Sequence, residues 1–303
     1  MAVGKRSAWS GTVVVLVAAG VVLSGAGAAR TASRAQVSEF AWSPDGTRLA
    51  VGGDVSGKSG ISTVEANDSN PVYLGSGGYP TWSPDGTRIA FNSGATGRAA
   101  DGNLWVMASN GSGRRMLEKD ANEPAWSPDG KTIVVWATER DNRDHLKLLT
   151  PSGHLVRDLA FRFLGLRFPF WSPDGRWVEF YANGGTQPIY AIRPNGKDLH
   201  VVHHGSGAWS PDRRSVAYVT ARDRHGKTCG DGWLPHCVWN TELYVRHRGG
   251  APQRLTFDRQ SDSIPTWSPN GKWIAFVRGP AESFSGALMA IHPDGSGLRT
   301  ILG

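Results

Sequence analysis

The pentapeptide Trp-Ser-Pro-Asp-Gly constrains the fold of this chain most, because it returns along nearly the whole sequence. Full copies begin at Trp42, Trp82, Trp126 and Trp171, and looser copies begin at Trp209 and Trp267. Consecutive copies lie 38 to 58 residues apart. A repeat of this length is typical of propellers and solenoids, in which each unit buries its apolar faces against its neighbours.

The Ser-Pro-Asp-Gly part of the repeat predicts a hairpin turn. Proline presets φ at the second turn position, aspartate suits the third, and glycine supplies the positive φ of a glycine bulge. Two copies depart from this pattern, since Arg213 stands in the glycine position and Asn270 in the aspartate position. Arg213 lacks the conformational freedom of glycine, so we expect the fifth repeat to be the least regular.

Each turn is followed by a β-branched or aromatic run, such as Ile89-Ala90-Phe91, that reads as a strand. Two more apolar runs follow before the next tryptophan, which makes four short strands in about 44 residues, the size of one propeller blade. The sequence therefore predicts an all-β fold, a six-bladed β-propeller of four-stranded antiparallel blades over residues 38–303. We interpret the longest interval, between Trp209 and Trp267, as an insertion and not as a seventh blade.

The repeated tryptophan is interpreted as a seam residue, which fills the space between neighbouring sheets, and the repeated aspartate as a turn residue. The chain enters the ring on a first strand at Phe40 and leaves it on a fourth strand at Ile301. Blade six is therefore expected to meet blade one through side chains alone, or with Thr31 to Val37 as an extra strand.

These repeats resemble those of the TolB-type propeller family, whose mark is Trp-Ser-Pro-Asp-Gly-x-x-Ile-Ala-Phe. Thr81 to Phe91 and Thr266 to Phe276 match it almost residue for residue, and the resemblance extends over residues 38–303. It implies the propeller fold and a role in docking protein partners at the channel mouth. TolB itself carries an additional α/β domain before its propeller, which we do not expect here because fewer than 40 residues precede the first blade.

The N-terminal residues have the pattern of a secretory signal peptide. Lys5 and Arg6 precede an apolar stretch, Thr12 to Leu23, and a small-residue site at Ala26-Gly27-Ala28. We predict a signal peptide over residues 1–28, cleaved after Ala28, and a linker over 29–37. The alternative is an uncleaved anchor, and only in that case do we expect membrane contact. The expected location is periplasmic, extracellular or associated with the cell envelope.

The formal net charge of +7 is spread along the chain with no run of five like charges. This distribution favours a soluble basic surface over a nucleic-acid site, so no nucleic-acid partner is expected. Contact with an anionic envelope polymer or lipid head group stays open.

Cys229 and Cys237, both inside the insertion, are the two cysteines of the chain. In an exported protein a pair this close predicts a disulfide. The alternative is a zinc site that also uses His225 and His236, which fits poorly because His236 and Cys237 are adjacent. No metal or cofactor is expected.

Binding residues are expected at one rim of the channel, on the loops that enter each first strand and the loops between second and third strands. The residues predicted to contact a partner are Tyr79, Glu123, Arg167, Phe168, His204, Asp262, Arg98, Arg140, Arg222 and Trp233. The apolar segment Phe161 to Phe170 either reaches this rim or packs between blades three and four. The insertion, Thr220 to Thr241, either caps the channel or packs on its own blade.

The sequence predicts an exported, non-catalytic binding or scaffold protein, a monomer that docks an envelope protein or polymer at the channel rim. It contains neither Gly-x-Ser-x-Gly nor His-Glu-x-x-His, the motifs of a nucleophile elbow and a zinc hydrolase. The alternative is an enzyme acting at the channel mouth, either hydrolase-like or similar to the propeller polysaccharide lyases with a histidine-bound metal. His203 and His204 are too few to build such a metal site from one loop.

Overall fold

The structure is a computed structural model that describes residues 35–67, 70–93, 102–138, 143–161, 165–182, 186–202, 207–220, 227–229, 237–280 and 285–303. Its strands form six four-stranded antiparallel sheets and one two-stranded sheet. Within these ranges no helix is long and apolar enough to cross a bilayer. The predicted signal peptide lies outside the described residues.

The first three blades follow one another along the chain. Blade one comprises β1 (Gln36–Trp42), β2 (Arg48–Val55), β3 (Lys58–Glu65) and β4 (Val72–Gly75). Blade two comprises β5 (Gly78–Trp82), β6 (Arg88–Ser93), β7 (Asn103–Ala108) and β8 (Arg115–Glu118). Blade three comprises β9 (Ala121–Trp126), β10 (Ile133–Thr138), β11 (Asp144–Leu149) and β12 (Leu155–Ala160).

The second half repeats this order, with a hairpin inserted in blade five. Blade four comprises β13 (Arg167–Trp171), β14 (Val178–Ala182), β15 (Thr186–Ile192) and β16 (His200–Val202). Blade five comprises β17 (Ala208–Trp209), β18 (Ser215–Thr220), β21 (Glu242–His247) and β22 (Pro252–Arg254), and its insertion forms β19 (Lys227–Cys229) and β20 (Cys237–Trp239). Blade six comprises β23 (Ser261–Trp267), β24 (Ile274–Gly279), β25 (Ala287–Ile291) and β26 (Arg299–Leu302). The predicted six-bladed β-propeller is confirmed.

The repeated tryptophans join neighbouring blades, as predicted. Four of them donate their indole N–H to the carbonyl of the residue that precedes the tryptophan of the neighbouring blade. The pairs are Trp82 with Ala41, Trp171 with Ala125, Trp267 with Ala208, and Trp42 with Thr266, at 2.9–3.3 Å. The last pair joins blade one to blade six, so the same bond that links neighbours along the chain also closes the ring.

The Ser-Pro-Asp-Gly turns are held by their own side chains. In the first copy the Ser43 hydroxyl donates to the Asp45 carboxylate at 2.6 Å and accepts the Arg48 backbone N–H at 2.9 Å. The glycine of this turn has a φ of 71°, and Arg213 adopts a φ of 58° at the same position of blade five. Arg213 thus occupies a left-handed conformation that costs a non-glycine residue about 1 kcal/mol or more.

Five of the six seams between blades are filled by a shared hydrophobic cluster in the described part of the chain, and the seam between blades four and five has none. The residue eight positions after each motif tryptophan faces the following blade. In chain order these residues are Ala50, Ala90, Val134, Glu179, Ala217 and Ala275. Each of them belongs to a seam cluster except Glu179, the residue that faces blade five.

The ring closes with backbone contacts in addition to side chains. Val37 of β1 and Gly286, which precedes β25, exchange two backbone hydrogen bonds of 2.9 and 3.1 Å. The expectation of closure through side chains alone is therefore incomplete. No strand of blade one is incorporated into the sheet of blade six.

Candidate binding site at the channel mouth

The channel mouth is the end of the ring built by the connections that enter the first strands and those between second and third strands. Close to it, four first strands carry the same irregularity, a left-handed residue followed by proline. These residues are Tyr79, Glu123, Phe168 and Ile264, with φ values of 51–52°. A left-handed conformation is uncommon for bulky residues, and proline disfavours compact conformations in the residue before it. Each irregularity coincides with a register shift that bends the strand and re-aims its side chains.

Glutamates of the preceding blades hold two of these left-handed residues in place. The Glu39 carboxylate of blade one accepts the backbone N–H of Tyr79 in blade two at 3.1 Å. The Glu123 carboxylate of blade three accepts the backbone N–H of Phe168 in blade four at 2.6 Å. Since each bond crosses a seam, both carboxylates fix the position of one blade relative to the next.

Tyr79 reaches across the channel. It packs against a cluster formed by Phe168, Tyr181 and Ile189 of blade four, although its own blade is not adjacent to blade four. Within that cluster the rings of Phe168 and Tyr181 meet edge to face, with centroids 6.3 Å apart. Tyr79 of blade two thus meets the aromatic cluster of blade four at the channel mouth, and both Tyr79 and the Phe168 of that cluster are predicted binding residues.

Arg167 lies beside this aromatic contact and is partly exposed. Its guanidinium lies 3.3 Å from the Glu123 carboxylate and stacks over the Trp136 ring with 4.7 Å to the ring centroid. Glu123 itself is buried, with 4% of its surface exposed. Arg167 is therefore the charged group of this pair that solvent and a ligand can reach.

The mouth has an unusual electrostatic environment. Burial raises the pKa of Glu123 to about 7, although the nearby Arg167 charge and the Phe168 N–H lower it. Burial also raises the pKa of Glu39, against hydrogen bonds from Ser38 and from the backbone of Tyr79. The pKa of Tyr79 is raised by burial and by the nearby charges of Glu39 and Glu123. A carboxyl with a pKa near neutrality can exchange protons at physiological pH.

Asp262 is built into the structure more deeply than the sequence indicated. Its carboxylate is fully buried and accepts two hydrogen bonds from Arg278, at 2.7 and 3.1 Å. The same guanidinium also pairs with Asp258 at 2.5 Å. Because its oxygens are engaged inside the protein, Asp262 anchors blade six and presents no carboxylate to the channel.

The remaining predicted contact residues lie outside the described residues. They are His204, Arg98, Arg140, Arg222 and Trp233. In the apolar segment 161–170, Phe161 and Leu166 belong to the cluster between blades three and four, so that part packs in the seam.

The insertion is described only by the backbone of its hairpin, in which Cys229 lies directly opposite Cys237. The structure does not describe their side chains, so the disulfide stays a prediction. Within the described ranges no group of three or more histidine, cysteine, aspartate or glutamate side chains is arranged to hold a metal ion.

Two residues that organise the mouth were not among the candidates, Asn92 and Arg278. The Asn92 side chain accepts the Glu123 backbone N–H at 2.8 Å and donates to the Ala121 carbonyl at 2.9 Å. Both residues lie near the end of a second strand. Asn92 bonds to the first strand of the next blade, and Arg278 bonds to the first strand of its own blade. A repeat pattern specifies the strands but not the seam partners of such a residue, and no sequence signal would have found them.

Several known proteins are similar to this chain in sequence or in fold. The chain is 26% identical over 182 residues to the uncharacterized peptidase YuxL of Bacillus subtilis, covering 57% of this chain and 24% of that protein. It is 32% identical over 148 residues to a TolB homolog of Chlorobium chlorochromatii, covering 48% and 30%. The chain thus spans less than a third of the length of either relative. An oligogalacturonate lyase from Vibrio parahaemolyticus superposes with a TM-score of 0.58 at 15% identity, covering 86% of this chain and 92% of the lyase.

These comparisons overturn one prediction. The chain was expected not to be an enzyme because it lacks the motifs of a nucleophile elbow and a zinc hydrolase. That prediction is contradicted, since similar propellers include proteins named as a peptidase and a lyase.

The match to a family model is more specific. The model of the TolB beta propeller domain matches residues 22–204, more than half of the chain. The repeats, the six blades and this match together show that the chain belongs to the TolB beta propeller domain family.

Proposed function

We propose that the protein is an exported binding protein of the cell envelope that docks a partner protein at the channel mouth. The observation that carries this proposal is the packing of Tyr79 against the aromatic cluster of blade four, flanked by the partly exposed guanidinium of Arg167. Tyrosine and arginine are enriched among the residues that contribute most to protein interfaces. The similarity to a TolB homolog supports the same role.

The rigidity of the mouth supports docking. The Glu39 and Glu123 bonds and the Asn92 bridge fix neighbouring blades relative to one another. A surface held in this way loses little conformational entropy when a partner binds, so more of the contact energy appears as affinity. Export rests on the predicted signal peptide over residues 1–28.

The test is affinity capture from an envelope fraction with tagged protein. Wild type is compared with Tyr79→Ala/Arg167→Ala and with Lys131→Ala/Lys272→Ala, a control that removes two exposed side chains from turns at the opposite end of the ring. We expect a defined partner to be retained by wild type and control and lost from the mouth variant, whose folding is checked by circular dichroism. Equal recovery by all three proteins would exclude the mouth as the docking surface.

A second function, acid–base catalysis at the same mouth, is favoured by the pKa of Glu123, raised to about 7 by burial. A general base works best with a pKa near the operating pH, and an arginine and a tyrosine lie beside this carboxyl. If this function holds, purified protein will convert a peptide or polyuronate substrate, and Glu123→Gln will abolish turnover while Glu65→Gln leaves it unchanged. Absence of turnover across both substrate classes would contradict it.

A further inference from the structure

A second surface stands out at the opposite end of the ring. The turn face is the end that carries the turns between first and second strands and between third and fourth strands. In blade five these two turns and the adjoining end of β21 carry four exposed arginines: Arg213, Arg214, Arg246 and Arg248. In the first turns of the other blades the two positions corresponding to Arg213 and Arg214 hold a glycine followed by threonine, lysine or arginine.

The two turns that carry these arginines lie side by side. The backbone N–H of Arg248 donates to the carbonyl of Arg214 at 2.7 Å, which ties the two turns together. Arg246 lies directly opposite Val216 in the sheet, two residues beyond Arg214. The charges are therefore concentrated at one corner of the turn face and not spread around the ring.

Two carboxylates, Asp174 and Asp212, lie near these arginines and offset their charge only in part. Within the described part of the chain no carboxylate forms an ion pair with any of the four. Asp212, the nearest in sequence, is occupied by the Ser210 hydroxyl at 2.6 Å and the Arg214 backbone N–H at 3.0 Å. Four arginines against these two aspartates leave a net positive charge at this corner, which attracts an external anion.

The patch continues onto blade four. The pKa of Asp174 is lowered overall. Burial raises it, but hydrogen bonds from Ser172 and from the Arg176 backbone and the nearby charge of Arg213 have the larger effect. Arg213 therefore lies near the turn of blade four, whose Arg176 is also exposed. Trp209, 41% exposed, precedes the turn of blade five and adds an aromatic surface beside the charges.

We propose that this turn-face corner binds an anionic polymer whose carboxylate or phosphate groups repeat along its chain. Arginine recognises both groups through two parallel hydrogen bonds, which lysine cannot form. The exposed Trp209 provides a surface on which a sugar ring of such a polymer can stack. The left-handed Arg213 supports this site, because glycine would fit the turn at lower conformational cost and the other blades that carry the full turn use it. This site is separate from the channel mouth and does not depend on the proposed docking function.

The experiment measures the affinity of the full chain for alginate, which carries carboxylates, and for long-chain polyphosphate, at several salt concentrations. The patch variant is Arg213→Gln/Arg214→Gln/Arg246→Gln/Arg248→Gln. The matched control, Lys119→Gln/Lys131→Gln/Arg157→Gln/Lys272→Gln, removes the same formal charge at exposed positions outside the corner. We expect the patch variant to bind at least one polymer about tenfold or more weakly and with less salt dependence, and the control to lose about twofold or less.

Arg213→Gly keeps the proposal testable if the fourfold variant fails to fold, because it restores the residue found in all five other repeats. It should fold at least as well as wild type and still bind more weakly. Equal losses in the patch variant and the control would show a general effect of charge and overturn the proposal. Binding only to vesicles of phosphatidylglycerol and phosphatidylcholine, with no binding to either polymer, would overturn it as well.

Discussion

Two seams of the ring differ sharply, the one between blades six and one and the one between blades four and five. The first joins parts of the chain more than 220 residues apart, yet it has a large shared cluster, the Trp42 bond to Thr266 and the Val37 bridge to Gly286. The second joins consecutive blades, yet no cluster fills it among the described residues, and its tryptophan, Trp209, is 41% exposed. Proximity along the chain therefore does not determine how well two blades pack.

The difference has a simple origin in composition. The seam between blades six and one has Ala275 where the seam between blades four and five has Glu179. A small apolar residue at this position lets two sheets approach closely, whereas a carboxylate must keep water or a polar partner. The better seam lies where the ring has no covalent connection, and this is where packing must supply all of the closure.

The largest expected effect comes from removing the seam tryptophans. Trp42→Ala should lower the free energy of unfolding by about 3–5 kcal/mol, because it empties a buried site that is 2% exposed. Trp209→Ala should lower it by no more than about 1 kcal/mol, because this ring is already half in water. Denaturant unfolding followed by circular dichroism measures both.

Trp42→Phe serves as the control, since it keeps most of the volume and removes the N–H bond to Thr266. Its loss should be intermediate between the other two. If Trp42→Ala and Trp209→Ala destabilise equally, the two seams are equivalent and the comparison fails.

The second effect concerns the residue at the centre of each seam. Ala275→Glu should cost several kcal/mol, because it places an unpaired charge in a fully buried site. Glu179→Ala should change the free energy of unfolding by about 1 kcal/mol or less. The measurement is again denaturant unfolding.

Ala275→Gln separates charge from size, because it adds the same volume without the charge. It should be less destabilising than Ala275→Glu at neutral pH. A cost for Glu179→Ala as large as that for Ala275→Glu would show that the seam between blades four and five depends on its carboxylate.

The smallest effect is a pH dependence at a third seam, where Glu123 ties blade three to blade four. The pKa of Glu123 is about 7 in the folded protein, against 4.5 for an unperturbed glutamate. Between these values the folded state binds more protons than the unfolded state, so this group stabilises fully below pH 4.5 and loses its contribution as the pH rises through 7.

Stability of wild type should therefore fall more between pH 4.5 and 7 than that of Glu123→Gln, by about 1 kcal/mol or more. Glu65→Gln, on the exposed end of β3, should keep the wild-type dependence. Thermal unfolding at several pH values gives the difference, and identical pH profiles for wild type and Glu123→Gln would contradict the raised pKa.

The sequence predicted the architecture well because each repeat contains the residues that specify its own turn and strands. A turn such as Ser43 to Gly46 specifies its own geometry, and Trp42 with its following apolar run specifies a strand pair. The sequence also indicated that Tyr79, Arg167 and Phe168 lie near the rim, because their position before a first strand was visible, and their role in binding stays a prediction.

The roles of the acidic residues were not predictable in the same way. Glu123 and Asp262 are both predicted to be accessible at the rim. In the structure, Glu123 accepts the backbone N–H of Phe168, which is 45 residues away in another blade, and Asp262 pairs with Arg278 on the neighbouring strand. These partners are determined by how the strands pack. Whether a carboxylate faces a ligand or holds the protein together depends on that three-dimensional setting.

The closure of the ring has one more consequence. Ala35 and Val37 lie in the same cluster as Ile301 and Leu302, so the two described ends of the propeller are neighbours in space. A circular permutant that links these ends and opens the chain at Lys119 between blades two and three would preserve every sheet. The order of the blades along the polypeptide is thus one of several that the same ring can accommodate.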